Sequence, residues 1–314
     1  MKHNLKITFL ILGMFIITQF LGLYVVDSYS SFKVVDGNII NVTSPDLPFG
    51  LETPELKDEE FNYALGSIVF AFTIAILLLF FLSKFNMAIF LKFWFFMVVT
   101  MALAISTNVL FFKLIPVVSF FSIPLPWILS LVIVLPLAFI KIYKRNFFVH
   151  NITELFIYPG VAAVFVPILN IYTVSAFLIL ISVYDAWAVW HSGIMQKMAN
   201  YQIKKLNIFS GFFVPHVSKN IKTKLKKMKP SERKKKKIRV NVAVLGGGDV
   251  VFPIIAAGVM LKTLGLIPAV LVIIGATIGL SYLLLFSEKK KFYPAMPFIS
   301  AGIFLGILVG YLVF

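Results

Sequence analysis

The chain of 314 residues contains no cysteine. That excludes a disulfide framework, thiolate metal sites and a cysteine nucleophile. Charge is scarce as well: Asp, Glu, Lys and Arg make up 13% of the residues, against about 25% in a soluble domain. Histidine is rarer still. His3, His150, His191 and His216 are scattered, and no two have metal-ligand spacing. What dominates is apolar: 60% of residues are hydrophobic and the mean hydropathy is +0.96. Runs nearly free of charge recur along the chain, each long enough to cross a bilayer core of roughly 30 Å. The first, Ile7 to Val26, is longer than a signal-peptide core, and no small-residue cleavage site follows it. It reads as a retained span.

Nine spans are predicted, at 7–26, 64–82, 93–112, 122–140, 155–170, 172–191, 240–261, 266–286 and 293–314. In lipid each span satisfies its own backbone hydrogen bonds, so helices are expected. A barrel would need short alternating segments, whereas these runs are apolar on every face. The expected fold is therefore an all-α membrane protein with nine transmembrane helices. Pro116, Pro124 and Pro126 break the start of the fourth span.

Charge then orients the chain. With the N-terminus inside, 25 of the 29 Lys and Arg residues fall in inside segments; Lys33, Lys57, Lys113 and Lys262 fall outside. That split follows the positive-inside rule. It predicts an N-terminus inside, a C-terminus outside and a multi-pass protein of the cell membrane. It also accounts for the net charge of +16 without nucleic acid. The domain reading is a six-span half at 1–191, a cytoplasmic basic loop at 192–239 and a three-span half at 240–314. The loop opens amphipathically, passes an apolar patch from Ile208 to Pro215 and ends in a basic run to Arg239. It is expected to lie on anionic headgroups. A sharper alternative has the apolar patch plugging the active site.

Eight of the thirteen acidic residues lie in the outside loop between the first two spans. Glu154, Glu232 and Glu288 read as interface or inside-loop residues, and no Lys or Arg falls well inside a span. Asp185 and Asp249 are then the acids within spans, on consecutive antiparallel helices and in the inner half of the bilayer. A lone ionised carboxylate there costs at least about 2.5–3.5 kcal/mol, so its presence needs a cavity, a partner or a proton. Two carboxyls brought together cannot easily both ionise, so the pair shares a proton. That state suits peptide hydrolysis: one Asp takes a proton from water, while the other assists the carbonyl and the leaving amine. No metal or organic cofactor is needed.

The neighbourhood of each acid adds to this. Asp249 ends the run Gly246-Gly247-Gly248-Asp249, and Pro253 follows one turn later. The glycines remove bulk and weaken the helix. Pro253 has no N–H, so the Asp249 carbonyl loses its helical donor. Helix packing alone is the competing explanation for the glycines. Tyr184 precedes Asp185 and reads either as a site-orienting hydroxyl or as an interfacial aromatic. In the last span Gly302, Gly306 and Gly310 form a stripe that admits a close helix neighbour.

Taken in order, Tyr184-Asp185, Gly246-Gly247-Gly248-Asp249 and Pro294-Ala295-Met296-Pro297 resemble the GxGD intramembrane aspartyl proteases. That family comprises presenilin, signal peptide peptidase and their archaeal homologues. Its marks are Tyr-Asp in span six, Gly-x-Gly-Asp in span seven and Pro-Ala-Leu at the start of span nine. The departures are Gly247, where the family often has leucine, and Met296 in place of leucine.

The resemblance implies an intramembrane aspartic endopeptidase with Asp185 and Asp249 as catalytic residues. It assigns active-site support to Tyr184, Gly246 and Gly248, and substrate contact to Pro294, Ala295 and Met296. The implied partners are transmembrane helices or leftover signal peptides of other membrane proteins. A substrate would unwind and pair as a strand near the site. A prepilin-type peptidase, an ion-coupled transporter or leak channel using the paired acids, and a non-catalytic scaffold are the alternatives. Oligomeric state is left open. The charge split matches the orientation of presenilin, in which the loop between spans six and seven faces the cytosol. Tag-accessibility mapping should place 192–239 inside; an outside location would contradict the orientation.

Overall fold

The structure is a computed structural model. It describes residues 5–30, 32–35, 38–41, 63, 66–71, 73–75, 77–78, 88–115, 119–120, 123–144, 146–192, 210–216, 241–287 and 293–313. Helix α1 (Leu5–Tyr29) leads into a hairpin of β1 (Phe32–Val35) and β2 (Asn38–Asn41). A short apolar helix, α2 (Gly66–Ala75), follows. Next come α3 (Ala88–Leu114), the two-residue strands β3 (Ser119–Phe120) and β4 (Ile123–Pro124), and α4 (Leu125–Phe139), which widens into a π turn at Ile140–Lys144. Helix α5 (Phe147–Phe165) tightens at Val166–Ile168, and α6 (Ile171–Trp187) widens at Ala188–Ser192. Strands β5 (Gly211–His216) and β6 (Asn241–Gly246) pair antiparallel. They deliver the chain into α7 (Gly247–Leu264), α8 (Leu266–Phe286) and α9 (Met296–Val313).

Among the described residues, eight helices are long and apolar enough to cross a membrane. They correspond to every predicted span but the second. The 64–82 run contains α2, which is shorter, and part of that run lies outside the described residues. The helix ends follow local chemistry. Asn146 caps α5, its side chain accepting from the Phe148 and Val149 N–H groups at 2.9 and 3.2 Å. Asn170 and Thr173 form a reciprocal capping box at the start of α6. The prolines that break the sequence pattern at 124 and 126 sit at the N-terminus of α4, where a missing N–H costs nothing. Gly265, at φ 95°, makes the one-residue turn between α7 and α8.

Helix α7 lies at the centre, packed by α1, α5, α6, α8 and α9. Ile254, Ala256 and Ala257 on it are fully buried. Small residues set these distances. A Cβ on Gly22 of α1 would come 2.3 Å from an Ile254 methyl, and one on Gly302 of α9 would meet the Gly275 carbonyl oxygen of α8 at 2.0 Å. The glycine stripe of the last span is thus the α8–α9 contact, as its spacing implies.

The sequence reading needs two corrections. The seventh span begins at Gly247 rather than 240, because Asn241–Gly246 is a strand. Ala243 and Leu245 are buried while Val244 between them is exposed, the alternation of a strand, and the strand's partner is Gly211–His216, which overlaps the apolar patch expected on the membrane surface. Phe212 there is fully buried and packs edge-on against Tyr158 of α5. The second correction concerns charge. Lys141 and Glu154 both fall within candidate spans, 7% and 1% exposed, and they form an ion pair. The earlier start of α5, at Phe147, takes Glu154 two turns into the helix.

Candidate active site

Asp185 sits in the last turn of α6 and is half-buried. Its Oδ2 accepts from the Met296 N–H at 3.0 Å, and the Ala295 N–H also donates to this carboxylate. Those two groups open α9. The Ala295 carbonyl already accepts from Ile299 at 3.1 Å, so Ala295 and Met296 carry N–H groups with no partner inside the helix. Pro297 has none to offer. The Pro294-Ala295-Met296 segment therefore does a defined job: it supplies backbone donors to one carboxyl from the positive end of a helix. Pro294 and Met296 are buried, which fixes the segment in place. Ser182, one turn before Asp185, donates to Ser300 of α9 at 2.9 Å and makes a second tie between the helices. Neither serine was singled out by sequence; their i, i+3 and i, i+4 offsets from Asp185 and Met296 were the available signal.

Asp249 is the third residue of α7, with Gly246 as the N-cap. Its carboxylate reaches back to the Gly246 N–H, the returning half of a capping box. Gly246 has φ −63° and ψ 148°, ordinary for any residue, so glycine is not required by conformation. The fit is tight in space instead: a Cβ there would lie 3.1 Å from Asp249 Oδ2 and would press on the carboxylate. Gly248 is exposed, and a Cβ there would touch the Phe252 ring at 3.4 Å. Gln19 of α1, fully buried, donates to the Val250 carbonyl at 3.0 Å and steadies the turn. Phe252 packs edge-on against Phe177, joining α7 to α6. The two carboxyls lie within electrostatic range of each other. Asp185 lies near the C-terminal end of α6, and Asp249 near the N-terminal end of α7, where β6 enters it.

Tyr184 is placed differently. It is 47% exposed and its ring approaches Trp187. Its side chain lies on the outward face of α6 rather than between the two acids.

Gly247, the departure from the family pattern, has a neighbour that explains it. A Cβ at 247 would come 3.0 Å from the Tyr158 hydroxyl and from Ser210 Oγ. Tyr158 is buried, and its hydroxyl stands beside the Glu154 carboxylate and within range of the Asp249 charge.

A model of the family described as signal-peptide peptidase, presenilin aspartyl protease matches residues 41–314. The chain belongs to that family. It is an intramembrane aspartate protease, and the transporter and prepilin readings draw no support. Among solved structures it resembles a presenilin family intramembrane aspartate protease in two crystal forms. In space group C222 the identity is 18%, the TM-score 0.59, and 98% of this chain and 99% of that one are covered. In space group P2 the identity and TM-score are the same and coverage is 97% of each chain. No curated protein matches.

The fit of Tyr158 against Gly247 has a direct consequence. Gly247→Leu should destabilise the detergent-solubilised protein by about 1–3 kcal/mol, the usual cost of overpacking. Thermal unfolding of Gly247→Leu with Tyr158→Ala should show a smaller loss than the two single changes summed. Simple additivity would contradict the contact.

Proposed function

We propose that Asp185 and Asp249 are the catalytic pair of this protease. They hydrolyse peptide bonds within transmembrane segments or signal peptides of membrane proteins. In the proposed reaction one carboxylate takes a proton from water as its oxygen adds to the scissile carbonyl carbon. The other carboxyl, protonated, donates to the carbonyl oxygen. Collapse of the resulting gem-diol breaks the C–N bond, and the leaving amine receives a proton from the pair. The atoms balance with water alone. The observation that carries this reading is the convergence of the two spans' carboxyls, each held by backbone donors at the start of a helix.

Supporting roles follow from position. Gly246 keeps a side chain off the Asp249 carboxylate, and Gly248 keeps the exposed turn before it bare. Pro294, Ala295 and Met296 hold Asp185 and wall the site. Tyr184, on the exposed face beside Asp185, lines the path of an incoming segment.

Substrate is proposed to add as a strand to β6. Gly211 and Phe213 of β5 turn their main-chain groups toward α5. Their partners Gly246 and Val244 therefore turn theirs away from β5, and so does Val242. That open edge runs directly into the Asp249 turn, where strand addition gives backbone pairing without demanding one sequence.

The orientation retained here is N-terminus inside and C-terminus outside with nine spans, α2 belonging to the second. It rests on the charge split. Units of 1–191, 192–239 and 240–314 in the cell membrane, with the basic loop on anionic headgroups, complete the reading.

Cleavage of a labelled transmembrane peptide in detergent tests it. Asp185→Asn and Asp249→Asn should each lower the rate at least about 100-fold, as loss of a general acid or base does. Wild-type rates in either variant would sink the assignment.

A further inference from the structure

A second polar centre lies on α4 and α5, apart from the acid pair. Lys141 Nζ and Glu154 Oε1 are 2.6 Å apart and both side chains are buried. His150 completes the group, with Nδ1 3.4 Å from Lys141 Nζ. Its Nε2 lies 2.9 Å from the Gly211 carbonyl oxygen. A carbonyl only accepts, so Nε2 carries the proton and Nδ1 is free to accept from the lysine.

A buried ion pair is weak support for stability, since desolvation offsets much of the attraction. Its worth must lie in what it holds. Glu154 Oε1 also accepts from the Gly211 N–H at 3.3 Å. One helical residue along from His150, the Asn151 side chain accepts from the Phe213 N–H at 3.2 Å and donates to the Phe213 carbonyl at 3.1 Å. Both main-chain groups of Gly211 and both of Phe213 are thus bound by α5 side chains, in alternate register, as a neighbouring strand would bind them. Pro215, next in that register, has no N–H to leave unpaired on this edge.

We infer that the Lys141–His150–Glu154 cluster and Asn151 form a latch that closes the β5 edge and fixes the hairpin. The pairing edge of β6 is thereby positioned for substrate. These are positioning residues, and the inference rests on the proposal that substrate adds to β6. The latch acts on binding: releasing β5 lets the pairing edge of the hairpin shift, while Gly246, held as the N-cap of α7, keeps its N–H on Asp249 and the start of α9 keeps its donors on Asp185.

Two variants test it. Asn151→Ala deletes both Phe213 bonds and leaves the charges intact. Lys141→Met with Glu154→Met removes the ion pair together, the change that tends to be neutral for stability when a single removal is not. Cleavage kinetics of a transmembrane peptide and thermal unfolding are measured side by side, with Asp249→Asn as a control. The expected result for Asn151→Ala is a KM raised roughly tenfold, the scale of one or two lost hydrogen bonds. Its kcat should stay within about threefold, and it should still melt in one cooperative transition, lowered by roughly a few degrees at most. The double variant should behave the same way if it folds; Asn151→Ala decides the question if it does not. Unchanged KM in Asn151→Ala, or a loss confined to kcat, overturns the latch. Activity surviving in Asp249→Asn would instead indict the catalytic assignment, so the two failures are separable.

Discussion

A carboxyl group inside a bilayer needs hydrogen-bond donors, and here both sets of donors come from the opening turns of helices. Asp185 takes the N–H groups that begin α9, and Asp249 takes the N–H of the residue that caps α7. A helix N-terminus has donors to spare and the positive end of the backbone dipole. Neither acid needs a cationic partner as a result, and none is needed between them. Much of the local sequence follows from this arrangement. Helix α9 must begin at the depth of Asp185, which a proline-flanked segment achieves. Helix α7 must begin close to Asp249, which the strand-to-helix change at Gly246 achieves.

The same constraint shapes the backbone around the pair. Starting α7 two residues before Asp249 leaves the preceding residues extended, and they pair with β5 rather than continuing as helix. Exposed strand edges are unwelcome in an apolar environment. The edge of β5 is closed by side chains of α5 rather than by another strand. Helix α7 itself is packed on several sides by other helices.

Much of this was legible in the sequence. Apolar runs of the right length mark the helices, and two acids in apolar surroundings mark the proposed site. The ordered motifs name the family. What was not legible has physical causes. Residues 240–246 are apolar and precede a helix, and an apolar run of that length reads equally as helix or strand. Only pairing with 211–216 decides it, and that contact spans a long basic segment. Glu154 reads as an interface or inside-loop residue because the apolar run begins at 155; its partner Lys141 lies on another helix, and such a pairing has no local signature. Gly247 looked like a departure from the family pattern until Tyr158 was found filling the space.

The central claim is that Asp185 and Asp249 act as one hydrolytic pair, held by helix N-termini. A structure of the protease with a hydroxyl-bearing transition-state isostere tests it most directly. The account predicts the isostere hydroxyl between the two carboxyls, within about 3.2 Å of an oxygen of each, with the Met296 N–H still on Asp185. An isostere bound away from the pair, or against one aspartate alone, would contradict it.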